Sequence, residues 1–157
     1  MPTVYRAPLV GLPQVGGRGY YSYGAPHRQF GTQRAIDVLL RACRLFSAQC
    51  PGAEVGVGDI SLPEGGPIPA APGSSGALAH STHFYGVNID VRPLRVDGKR
   101  LPVTYTEPAY SRERTAALVR AFASQADVVK ILFNDVRIPG VMPSAGHHNH
   151  LHVIVRS

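Results

Sequence analysis

The chain of 157 residues has no tryptophan, two methionines and two cysteines, and only 17% of it is charged. No apolar run approaches the ~20 residues that a membrane helix needs, which excludes insertion into a bilayer. Glycine shows no three-residue period, which excludes collagen. The opening MPTVYRAPLVGLPQVGG lacks a basic stretch followed by an apolar one, so no secretory leader is read there. Two cysteines make no disulfide framework. Cys43 and Cys50 fall on one predicted helix, where their separation corresponds to a rise of ~10 Å, beyond the ~4.4–6.8 Å that a disulfide spans. Unless that helix ends before Cys50, both are free thiols.

What abounds is glycine and proline, seventeen and fourteen residues, about a fifth of the chain against an ordinary ~12%. Long loops are therefore expected. An apolar fraction of 44% excludes wholesale disorder. The length predicts a single domain over residues 1–157, with 1–31 an irregular N-terminal arm. The net charge of +6 favours a polyanionic partner. Its bases are scattered and no zinc-finger or aromatic RNA-binding motif joins them, so nucleic acid is not expected.

Thr32 is placed to cap a helix over about 33–49, with Ile36, Leu39, Leu40, Cys43 and Phe46 forming one apolar stripe. Ser111 is placed to cap a second helix to about 125, with Leu118, Ala121 and Phe122 inward. Strands are predicted at 53–60, 86–92, 128–134 and 150–156, with a turn at Asp97-Gly98. Residues 61–79 form a Pro/Gly-dense loop of a length that is usually functional. The expected class is α+β, with helices covering one face of a sheet.

Six of the seven histidines fall in two windows: His80 and His83, then His147, His148, His150 and His152. Strand period sorts them. Leu151, Val153 and Val155 point to one face, and His150 and His152 to the other. In the strand near residue 90, Val87, Ile89 and Val91 form the apolar face, with Asn88 and Asp90 opposite. If the two strands are neighbours, Asp90 and His152 converge, and Gly86 can turn His83 over the same face.

Two imidazoles and one carboxylate with an open position form the ligand set of a catalytic zinc, so His83, Asp90 and His152 are the expected metal ligands. The H-x-D/E spacing of facial-triad iron oxygenases is absent, as is an H-E-x-x-H helix. A base for the metal-activated water must come from elsewhere. His150 is the first candidate and His147 the second. His80 is expected beside the metal ligands or against substrate, and Tyr85 with loop 61–79 is expected to line a substrate groove.

These residues resemble the signature of the LAS superfamily of zinc peptidases, which includes lysostaphin-type enzymes, D-alanyl-D-alanine peptidases and hedgehog domains. The chain is most similar to its penicillin-insensitive murein endopeptidases. The matching segments are Gly19–Gly24, the R-Q-F-G run Arg28–Gly31, Gly58–Gly66, His80-x2-His83-x6-Asp90, and Gly146-His147-x2-His150-x-His152-Val153. The resemblance implies a central antiparallel sheet with flanking helices. It also implies one zinc ion per chain on His83, Asp90 and His152, with His150 assisting catalysis. His80 and His147 match further active-site histidines. The implied activity is hydrolysis of peptidoglycan cross-links at a D-alanyl–diaminopimelate amide.

Two other outcomes stay open. One is a D,D-carboxypeptidase or dipeptidase acting on short wall peptides, and the other is a non-catalytic zinc module that recognises the wall. The family's periplasmic members carry a leader and disulfides. Without them, the expectation is a protein made in the cytosol, delivered to the wall by a phage, tail or secretion device, and monomeric.

Overall fold

The computed structural model describes residues 7–14, 19–66 and 85–157. Helix α1 spans Gln33–Gln49 and begins where Thr32 Oγ1 accepts the Ala35 amide at 3.1 Å. It ends with Cys50 as its C-cap, and both cysteines are free. Helix α2 spans Arg112–Ala123 and begins where Ser111 Oγ accepts the Arg114 amide at 3.2 Å. In each case a side-chain oxygen takes up an amide that the first helical turn leaves without a partner.

Seven strands are present among the described residues: β1 (Val10–Gly11), β2 (Tyr20–Ser22), β3 (Phe30–Gly31), β4 (Val55–Val57), β5 (Asn88–Val91), β6 (Val128–Leu132) and β7 (Leu151–Val155). Strands β1 and β3 form a small antiparallel ladder. The other five form one sheet in the order β2-β4-β5-β7-β6. The pairs β4–β5, β5–β7 and β6–β7 are antiparallel, whereas β2 runs parallel to β4.

The class is thus mixed α+β with a mostly antiparallel sheet, and two details differ from expectation. The sheet is not wholly antiparallel, and the arm over 1–31 is not irregular throughout, because it supplies β1, β2 and β3. Those strands have two or three residues, too few to display a period of two. Tyr20 draws β2 into the sheet by burying its ring and donating its hydroxyl to the Pro13 carbonyl. The strands predicted at 53–60 and 86–92 are also shorter, Val55–Val57 and Asn88–Val91.

Val55, Val57, Ile89, Val91, Ile131, Leu151, Val153 and Val155 are buried with Leu39, Ala42, Phe46, Leu118 and Phe122 of the helices in one apolar cluster. Each of these Val, Leu, Ile and Phe side chains stabilises the fold by roughly 1.5–3 kcal/mol when fully withdrawn from water. With that face committed to the helices, the alternate residues of the same strands lie on the opposite face. The site is built there.

Candidate metal centre

Strands β5 and β7 are neighbours, and their register sets Asp90 opposite His152. Asp90 Oδ1 lies 3.4 Å from His152 Nδ1 and 4.0 Å from His150 Nε2. Asp90 and His152 are both buried, so each has left water for a site that must replace its solvation.

Three imidazoles converge at this point. His147, His150 and His152 each offer a ring nitrogen, and the three atoms lie within 4.8 Å of one another, a group able to bind a metal ion. The ring of His147 stands 4.8 Å from that of His150 and 5.6 Å from that of His152. His147 therefore joins Asp90 and His152 in one place, although it precedes β7 and has no strand period to align it.

Each ring has one nitrogen committed to an oxygen. His147 Nδ1 is 3.0 Å from the Ala145 carbonyl, which can only accept, so this nitrogen carries the proton. His150 Nδ1 donates to Asn149 Oδ1 at 2.8 Å, and His152 Nε2 donates to Asn88 Oδ1 at 3.0 Å. The lone pairs thus fall on His147 Nε2, His150 Nε2 and His152 Nδ1. Holding a ligand imidazole by its far nitrogen is how protein metal sites fix tautomer and orientation. Asn88 and Asn149 were not singled out as partners by sequence. Their signal is position: Asn88 shares a strand face with Asp90, and Asn149 adjoins His150.

The loop that delivers the histidines is tied down at both ends. Asn134, just past β6, donates its amide to the His147 carbonyl at 2.9 Å and accepts the Ser144 amide on Oδ1 at 2.8 Å. Buried Asp135 accepts the Tyr110 hydroxyl at 2.6 Å and Arg112 Nε at 2.8 Å. Burial, and then the contact with Asp135, raise the Tyr110 phenol above its ordinary range.

Asp90 and His150 line a cleft of about 420 Å³, together with Tyr23, Arg28, Asp59 and Arg92. Arg28 pairs with Asp59 at 2.7 Å. The Tyr23 ring is partly exposed, but its hydroxyl end lies against Gly58. Burial, followed by the charge of Asp90, raises that phenol above its ordinary range.

The expected ligand His83 and the expected contact His80 lie outside the described residues, as does loop 61–79 beyond residue 66. Tyr85 is exposed and lines a second cavity with Pro63, Glu64 and Gly65. No protein-family model and no curated protein matches the chain. Among the described residues, no helix is long and apolar enough to cross a membrane.

Proposed function

We propose that the chain is a zinc peptidase of the bacterial cell wall that hydrolyses the peptide cross-links of peptidoglycan. The observation that carries this reading is the convergence of three imidazole lone pairs beside a buried carboxylate at the wall of an open cleft. The donor set fits zinc, because nitrogen and carboxylate ligands without a thiolate are those of catalytic rather than structural zinc sites. Asp90 and His152 would hold the ion, with His83 as the third ligand that the sequence nominates. When bound, zinc supplies Lewis-acid polarisation of a carbonyl and makes a water acidic near neutral pH.

The remaining chemistry falls to the chain's own side chains. His150 lines the cleft with its Nδ1 held by Asn149, which leaves Nε2 to take a proton from the attacking water. Water's oxygen bonds to the carbonyl carbon, the C–N bond breaks, and the same proton goes back to the departing amide nitrogen. His147, whose ring lies 4.8 Å from that of His150 at a tilt of 40°, offers a second site for the proton. The delivery of such an enzyme to the wall by a phage, tail or secretion device belongs to this proposal.

Purified muropeptide dimers incubated with zinc-loaded protein test the reading by chromatography. Wild type is expected to release monomers, and His150→Ala to retain zinc while leaving dimers intact. Loss of terminal D-alanine from monomers, with dimers untouched, would make the protein a carboxypeptidase. Intact substrate throughout, with zinc bound, would make it a wall-recognition module.

A further inference from the structure

Beyond the histidines, the open face of the sheet carries a second construction. Sheet register places Tyr21 of β2 beside Gly56 of β4, and Arg92, the residue after β5, joins the same row by donating its amide to the Gly56 carbonyl at 2.8 Å. The adjacent row holds Tyr23, Gly58, Asp90 and His152. The two glycines are notches for the tyrosines. A methyl on Gly56 would fall 2.7 Å from Tyr21 Oη and 3.1 Å from Arg92 Cδ, and one on Gly58 would fall 2.5 Å from Tyr23 Cζ. Both rings therefore lie across β4 where side chains are missing.

Arg92 rests on this platform, its guanidinium carbon 4.0 Å from the Tyr23 ring centroid and one nitrogen 3.5 Å from Tyr21 Oη. Contact with an aromatic face orients a guanidinium without consuming its hydrogen-bond donors. Among the described residues no carboxylate lies within ion-pair distance of Arg92, whereas Arg28, the other arginine of the cleft, is paired with Asp59. Among the described residues, Arg92 is thus an oriented cation of the cleft without a carboxylate partner. It lies two residues beyond Asp90 on the same strand face, a spacing of ~6–7 Å.

We infer that Arg92, held over Tyr23, recognises a carboxylate, and that the substrate bears a free carboxylate on the residue flanking the scissile amide. The identity of the substrate rests on the peptidase reading above. A planar monoanion matches the two-pronged fork, while a dianionic phosphate would face the repulsion of Asp59 and Asp90 in the same cleft. In a wall cross-link, the carboxylate beside the scissile nitrogen is that of diaminopimelate. An endopeptidase built this way distinguishes walls by whether that group is free or amidated.

Titration calorimetry tests this with two probes. They are the tetrapeptide L-alanyl-γ-D-glutamyl-meso-diaminopimelyl-D-alanine and the same peptide amidated at the ε-carboxyl of diaminopimelate. Wild type is expected to bind the free acid about tenfold or more tighter than the amide, the scale of one charge-assisted contact. Arg92→Gln is expected to bring the two affinities within about twofold by weakening the free acid alone. Equal affinities in wild type, no binding of either peptide, or a preference that survives Arg92→Gln would each overturn the inference. Digestion of dimers separates the two proposals. Cleavage indifferent to Arg92 and to amidation sinks the subsite and keeps the peptidase, whereas a binding preference without any cleavage does the reverse.

Discussion

Asn88 and His152 are joined across the β5–β7 ladder by a 3.0 Å hydrogen bond from the imidazole Nε2 to the amide Oδ1, and this bond turns Nδ1 toward Asp90. Removing the acceptor frees the ring to rotate or to change tautomer. Asn88→Ala is therefore expected to weaken zinc binding about 10–100-fold, the usual effect of losing a partner behind a ligand. Competition against a chelating dye measures it, and unchanged affinity would show that the hydrogen bond does not orient the ligand.

His152→Ala and Asp90→Ala are expected to lose the metal after dialysis, as read by elemental analysis. Both sites are buried, so each variant needs a circular-dichroism spectrum matching wild type. A folded Asp90→Ala protein with full zinc content would remove Asp90 from the ligand set.

The Asn134 side chain clamps the loop at Ser144, while its main-chain amide separately holds the His147 carbonyl, a bond that Asn134→Ala keeps. Asn134→Ala is expected to keep its zinc and to lose about 10–100-fold in muropeptide turnover, since displacements near 1 Å at a reacting group have that effect. Loss of zinc instead would mean that the loop positions a ligand rather than a catalytic group.

Gly58→Ala places a methyl against Tyr23, and such overpacking typically costs about 1–3 kcal/mol. In a Tyr23→Ala background the obstruction is gone, so the same substitution is expected to cost far less. Urea denaturation of the four proteins gives the coupling. Additive effects would show that the ring does not lie over Gly58.

Burial pushes the Cys43 thiol from its ordinary value of 9.0 up to about 12. The folded chain then holds a proton that the unfolded chain gives up. This contribution to stability is complete below pH 9 and is lost as pH rises towards 12. Native protein at pH 8 is expected to present only half-buried Cys50 to a thiol reagent, and denatured protein both. Two fast-reacting thiols in the native state would contradict the burial of Cys43.

The parts of the fold that were legible in sequence are those with enough residues to show a period. Helix α1 repeats its apolar stripe over about three turns, from Ile36 to Phe46, behind a capping threonine, and β7 alternates Leu151, His152 and Val153 cleanly. Strands β1, β2 and β3 were not legible because two or three residues carry no pattern, and because β2 is recruited by the buried ring of Tyr20. The pairing of Asp90 with His152 was legible only as a condition, since alternation gives a face but no neighbour. Asn88 and Asn149 could have been found from their places beside Asp90 and His150, but the seat of Arg92 over Tyr23 depends on register across three strands. No local signal encodes that.

The pleat ties the candidate metal site to folding at β7. Deleting one residue from that strand would swap its two faces, sending His152 toward α1 and α2 and bringing an aliphatic side chain into the cleft. Such a lesion would abolish the ion site and the interior together. Length changes within this segment are therefore doubly penalised.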